Sequence, residues 1–168
     1  DRSACLAYLQ AGMAGISETL ADKAWHGKSQ SMKCAIAVFA KTIELSPVKT
    51  RLAMSIGEAK AQTFCRLSIE AIRETLHSLG SDFAPHWALA EEEAVGRKEW
   101  QDFPALWTGA GGLGTRLANV SEALFRDHDA VMLIGTDSPQ LEITHFEKAL
   151  DKLREDRDAC ISGPAEDG

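Results

Sequence analysis

The segment VMLIGTDSP, residues 131 to 139, constrains the fold more than any other part of this chain. Four consecutive large apolar residues, Val131 to Ile134, are typical of a strand buried on both faces, as in a parallel sheet covered by helices. The strand runs into Asp137, and Pro139 cannot continue a hydrogen-bonded ladder. Ligands of open α/β sheets bind at the carboxyl ends of strands, so Asp137 is either a contact for a metal ion or sugar hydroxyl, or a simple turn cap.

Strand-like and helix-like segments alternate from Cys34 onward. We predict strands at 35–39, 86–90, 106–108, 130–135 and 159–163, and a loop at 41–51. Helices are predicted at 58–79, directly after the glycine loop 109–114, and at 146–154. The last of these helices has capping-box spacing at Thr144 and Glu147. The inward face of helix 58–79 is expected to contain Phe64, Leu67, Ala71, Leu76 and Leu79. This alternation predicts an α/β fold with a mostly parallel, Rossmann-like sheet flanked by helices.

Residues 1–30 have a different pattern. Their large apolar residues recur at steps of three and four, which predicts an N-terminal helical extension before the main domain, residues 34–168; they are Leu6, Leu9, Met13, Ile16 and Leu20. The extension either packs on the domain or forms a homodimer. The chain starts at Asp1 without a Met, so we expect that a preceding segment is omitted.

Composition excludes several classes of partner. The net charge of -7 argues against binding a nucleic acid polymer or an anionic membrane surface. The apolar run from Cys34 to Ala40 is far too short to span a bilayer, and no secretory signal pattern opens the chain. The four cysteines form no C-x-x-C pair, so reduced thiols in a cytoplasmic protein are the expectation.

Three polar loops should share the carboxyl edge of the predicted sheet. The first carries Lys41, Lys49 and Arg51; the second is the glycine loop with Gly112, Gly114 and Arg116; the third holds Asp137, joined by residues 164–168. Cations facing carboxylates suit a nucleotide diphosphate with bound Mg²⁺ or Mn²⁺. Taken singly, each loop has a simpler interpretation as a solvated loop or a turn, so the prediction depends on their convergence.

Five segments in this order resemble a known set: AVFAK at 37–41, VKTRL at 48–52, GLGTRL at 112–117, LIGTDSP at 133–139 and GPAEDG at 163–168. They are similar to a bacterial family of GT-A-type transferases, catalogued as a domain of unknown function and related to 2-phospho-lactate guanylyltransferase. The resemblance covers 34–168 and implies a nucleotide-diphospho-sugar transferase fold. It also implies that the family's C-terminal part is missing from this chain.

The resemblance assigns roles to individual positions. Lys41, Lys49 and Arg51 would face the nucleotide, and Asp137 would occupy the place of a metal-binding acid. Asp167 would contact the acceptor or the metal, and it is our candidate catalytic base. The chain departs from the family at 43–47, where the family has Pro and Gly, and at Gly112, where it has an acid.

The resulting expectation is a glycosyltransferase that uses a nucleotide-diphospho-sugar donor, a divalent metal and an unidentified acceptor. The first alternative is a guanylyltransferase-like nucleotidyltransferase that releases pyrophosphate. The second is a degenerate, non-catalytic domain that binds a nucleotide or interacts with a partner through residues 1–30.

Overall fold

The fold is an α/β sandwich around one parallel sheet. The computed structural model describes residues 5–9 and 32–162, which contain β1 (Cys5–Leu9), β2 (Cys34–Ala40), α1 (Thr50–Ile56), α2 (Glu58–His77), β3 (Phe83–Leu89), β4 (Ala105–Trp107), α3 (Leu113–Leu124), β5 (Ala130–Gly135), α4 (Ile143–Glu155) and β6 (Cys160–Ser162). The strands lie in the order β4-β3-β2-β5-β1-β6, and every described pairing is parallel. The predicted fold class is confirmed.

Helices cover both faces of the sheet because successive strand residues point to opposite sides. Ile36 and Val38 of β2 belong to the core beneath α2 and α4, whereas Ala35 and Ala37 belong to the core beneath α3. The five residues Ala130 to Ile134 of β5 are all buried, as the continuous apolar run predicts. Helices α2 and α3 therefore lie on opposite faces.

A topological switch point lies between β2 and β5. From β2 the chain moves outward to β3 and β4, and it then crosses back over β2 to form β5. The connections on the two sides of this boundary diverge, which opens a crevice at the carboxyl ends of the two strands. In open α/β sheets such a crevice is the usual place for a ligand.

The prediction of a helix is wrong for residues 5–9, which form β1. This strand pairs with β5 and β6 in the main sheet. Short apolar runs fit a helix or a strand equally well, and here pairing with the two neighbouring strands favours the strand. The rest of the predicted helical extension, residues 10–30, lies outside the described residues.

Three further predictions need correction. Leu76 is buried on α2 as predicted, but Phe64 and Leu67 are exposed. The other buried residues of this helix are Ala61, Cys65, Ser68, Ile69 and Ile72. The predicted loop at 41–51 gives way to α1 at Thr50. The capping box of α4 uses Glu142 and His145 in place of Thr144 and Glu147. The helix begins at Ile143, three residues before its predicted start at 146.

Within the part of the chain that the structure describes, no helix has both the length and the hydropathy needed to cross a bilayer.

Candidate functional site

A cleft of about 590 Å³ opens at the carboxyl edge of the sheet, over the switch point. Small residues at the strand ends form part of its floor: Ala40 at the end of β2, Ala88 near the end of β3 with Ala90 just after it, and Gly135 at the end of β5. Because these residues have short or no side chains, the edge of the sheet leaves room for a ligand. The volume lies in the usual range for small-molecule sites.

The structure brings five of the eight predicted site residues around this cleft, namely Lys41, Lys49, Arg51, Arg116 and Asp137. Gly112 and Gly114 do not line it; they form the N-cap and the first turn of α3. Asp167 lies outside the described residues. The roles predicted for these residues, nucleotide binding, metal binding and catalysis, remain predictions.

Lys49 occupies an unusual position at the start of α1. Its backbone lies in the left-handed region, with φ 48° and ψ 44°, which L-residues adopt at a cost of about 1–2 kcal/mol. Its ammonium group donates a hydrogen bond to Asp137 Oδ1 and lies 5.3 Å from the ring centroid of Phe64. Backbone strain of this kind is characteristic of functional sites.

The Lys49–Asp137 pair is asymmetric in exposure. The lysine side chain is 14% exposed and the aspartate side chain 76%. Asp137 has no second hydrogen bond within the described residues, so part of its carboxylate faces the cleft. A fixed ammonium group thus lies beside an open carboxylate, an arrangement that suits a phosphate and a cation together.

A buried acid anchors the loop that carries Lys41, and sequence reasoning missed it. Glu91 is 8% exposed, and its Oε2 accepts the backbone N–H of Thr42 at 3.0 Å. The Thr42 hydroxyl in turn accepts the indole N–H of Trp100 at 3.2 Å. The available signal was the position of Glu91, which lies two residues after the end of β3, just as Asp137 lies two residues after the end of β5.

The opposite wall consists of the β4–α3 loop and the start of α3. Arg116 Nε donates to the Gly111 carbonyl at 3.0 Å, and Asn119 Nδ2 donates to the Thr108 carbonyl at 3.2 Å. Gly109 has φ +85°, a backbone conformation that favours glycine, and a Cβ there would also displace the side-chain amide of Asn119. These contacts fix the loop at the edge of the cleft.

Cys65 of α2 also lines the cleft but is unsuited to nucleophilic catalysis. Burial raises the pKa of its thiol, and the opposing charge of Lys49 is a smaller influence. A thiol with a raised pKa stays protonated at neutral pH, whereas nucleophilic cysteines need a lowered pKa. Cys65 therefore acts as an uncharged part of the wall.

The donor set allows a limited form of metal binding. The described residues contain no cluster of three or more His, Cys, Asp or Glu side chains able to hold an ion. Asp137 is the one acid among the described residues that line the cleft. Mg²⁺ is commonly bound through one or two carboxylates together with substrate phosphates, and Asp137 fits that mode.

Comparisons with known proteins agree with this fold. The model of the family described as "Uncharacterized protein conserved in bacteria (DUF2064)" matches residues 70–168, more than half of the chain. A crystal structure of a "putative nucleotide-diphospho-sugar transferase" from Desulfovibrio desulfuricans G20 is 25% identical with a TM-score of 0.62, over 73% of this chain and 55% of that one. The chain thus spans little more than half of that protein's length. No curated protein sequence matches it.

Proposed function

The chain belongs to the bacterial family DUF2064, and from this membership and the cleft we propose that it is a glycosyltransferase with a nucleotide-diphospho-sugar donor. The observation that carries the proposal is the convergence of Lys41, Lys49, Arg51 and Asp137 on one cleft at the switch point. The transferase described for the similar crystal structure supports the same class of reaction.

The basic residues would neutralise the diphosphate of the donor. Lys49 is held in place by Asp137 and Phe64, so its ammonium group needs little reorganisation to meet a phosphate oxygen. Lys41 and Arg51 have no ion-pair partner within the described residues and remain available for the other phosphate oxygens. Preorganised positive charge at a leaving diphosphate is the main contribution that such a site makes to catalysis.

A divalent cation, Mg²⁺ or Mn²⁺, is part of the proposal. Asp137 would hold it, and the ion would supply further charge neutralisation at the leaving diphosphate. We propose Asp167, on sequence grounds alone, as the base that accepts the proton of the acceptor hydroxyl.

Calorimetry with UDP, GDP and CDP, each with and without Mn²⁺, tests the proposal. We expect one diphosphate to bind, and the Asp137→Ala variant to lose the part of the affinity that depends on Mn²⁺. Asp151→Ala provides the matched control, because Asp151 is an exposed acid on α4 that forms an ion pair with Arg154. Failure of all three nucleotides to bind would refute the proposal.

Product analysis separates the two enzymatic classes. Incubation with the nucleotide sugar of the binding base should release the nucleoside diphosphate. Release of pyrophosphate from a nucleoside triphosphate, without turnover of nucleotide sugars, would instead favour the nucleotidyltransferase.

A further inference from the structure

Arg116 is the one cation, among the described residues that line the cleft, on the wall formed by α3. Lys49 lies on the other wall, against Phe64 of α2. Helices α2 and α3 pack on opposite faces of the sheet, so the two charges approach the carboxyl edge from opposite sides. The negative charge of a single diphosphate beside Asp137 is already matched by Lys41, Lys49 and Arg51. The position of Arg116 on the opposite wall therefore needs a different explanation.

The guanidinium of Arg116 is oriented before any ligand binds. Its Nε–H donates to the Gly111 carbonyl at 3.0 Å, which fixes the plane of the group. Its Nη groups have no hydrogen-bond or ion-pair partner within residues 5–9 and 32–162. A guanidinium with both Nη groups available matches a carboxylate or a phosphate through two parallel hydrogen bonds.

An apolar neighbour accompanies this charge. Leu113 precedes Arg116 by three residues, so the two side chains share a face of α3. Leu113 is 65% exposed and also lines the cleft. A ligand on this wall would therefore meet a cation and a large apolar side chain together.

We infer that Arg116 binds an anionic group of the acceptor, a carboxylate or a phosphate, while Leu113 contacts its carbon skeleton. This inference rests on the proposed function, because a transferase must hold donor and acceptor at the same time with their reacting atoms in contact. The small side chains of Ala88, Ala90 and Gly135 separate the two walls and leave space where the molecules would meet. In this proposal Arg116 serves the acceptor, whereas the sequence analysis groups it with the nucleotide-binding residues.

The test uses two aromatic anions as probes, phenyl phosphate and benzoate, which distinguish a phosphate from a carboxylate. Each is titrated into the protein alone and into the protein saturated with the nucleoside diphosphate that binds. The variants are Arg116→Gln and Arg116→Lys. Arg126→Gln is the control, because Arg126 is an exposed arginine that forms an ion pair with Glu122 and does not line the cleft. Circular dichroism and urea unfolding establish that each variant is folded.

We expect Arg116→Gln to weaken binding of one probe by about tenfold or more, from the loss of charge-assisted hydrogen bonds, with nucleotide affinity changed by less than about twofold. Arg116→Lys should retain an intermediate affinity, because an ammonium group lacks the planar pair of donors. Arg126→Gln should bind both ligands as the native protein does.

Three results would overturn the inference: neither probe binds the native protein, a probe binds Arg116→Gln as tightly as the native protein, or Arg116→Gln loses nucleotide affinity. Failure of the proposed function is a separate result. If no nucleotide binds but a probe still depends on Arg116 in the protein alone, the anion site stands and the donor site falls.

Discussion

Replacing Lys49 by glycine and by alanine separates the backbone strain at this residue from its charge. Both variants lose the ammonium group, so the difference between them reports the left-handed backbone, with φ 48°. Alanine retains a strain of about 1–2 kcal/mol that glycine does not have. The greater freedom of glycine in the unfolded chain offsets about 0.4–1 kcal/mol of this. We therefore expect the Lys49→Gly protein to be more stable than the Lys49→Ala protein by about 1 kcal/mol.

Lys148 is the matched control, since it is an exposed lysine within helix α4. In a helix the order reverses, and the glycine variant should be less stable than the alanine variant by about 1 kcal/mol. Urea unfolding of the four proteins, analysed by linear extrapolation, measures both differences. A glycine variant less stable than the alanine variant at position 49, as at position 148, would refute the left-handed assignment.

The same two variants connect the strain to function. Neither can contact a phosphate oxygen, so each should lose nucleoside diphosphate affinity by about tenfold or more, the usual effect of removing a charged hydrogen-bonding group. Glycine would then improve stability at position 49 relative to alanine without restoring binding. Nucleotide affinity close to the native value in Lys49→Gly would remove Lys49 from the proposed donor site.

Other predictions concern the walls and the sheet. Gly109→Ala should lower the free energy of unfolding by about 2–3 kcal/mol, because it adds left-handed strain and breaks the Asn119 hydrogen bond. The double variant with Asn119→Ala should lose less stability than the sum of the losses in the two single variants. Strict additivity in urea unfolding would contradict the close contact. Burial lowers the pKa of His86, so the unfolded chain binds the proton more readily, and stability should fall as pH drops below about 6.5, less steeply in His86→Gln. Equal slopes in urea unfolding between pH 7 and 5 would contradict this. Iodoacetamide at pH 7 should modify the exposed Cys160 and spare the buried Cys65, whose pKa burial raises; equal labelling in peptide mass mapping would contradict it.

Segments with one dominant physical signal were predictable. The observed bounds of β5, Ala130–Gly135, match the prediction, because a continuous apolar run between polar residues has few other uses. The start of α2 at Glu58 also matches. The prediction for the inward face of α2 holds for Leu76 but not for Phe64 and Leu67, because a second series of apolar residues, which includes Cys65 and Ile69, has equally good helical spacing. Contact with the sheet selects between the two series, and that contact is absent from local sequence.

The candidate site divides in the same way. Lys41 and Asp137 were expected near each other because they follow parallel strands, whose carboxyl ends share one edge. The pairing of Lys49 with Asp137 depends on a left-handed backbone that lysine seldom adopts, so no pattern indicates it. The buried Glu91 escaped notice because an acid in a run of three is more often a solvated surface.

Paramagnetic broadening tests most directly whether a metal–nucleotide complex occupies the cleft. Mn²⁺ with the binding nucleoside diphosphate is added to ¹⁵N-labelled protein, and amide signals are compared with those for Mn²⁺ alone. We expect strong broadening at Thr50 and Thr136, which line the cleft. Asp129 should be spared, because it precedes the six-residue β5 and lies about 20 Å away at the opposite edge of the sheet. Broadening at Asp129 without broadening at Thr136, or no nucleotide-dependent broadening at all, would contradict binding of a metal–nucleotide complex in the cleft.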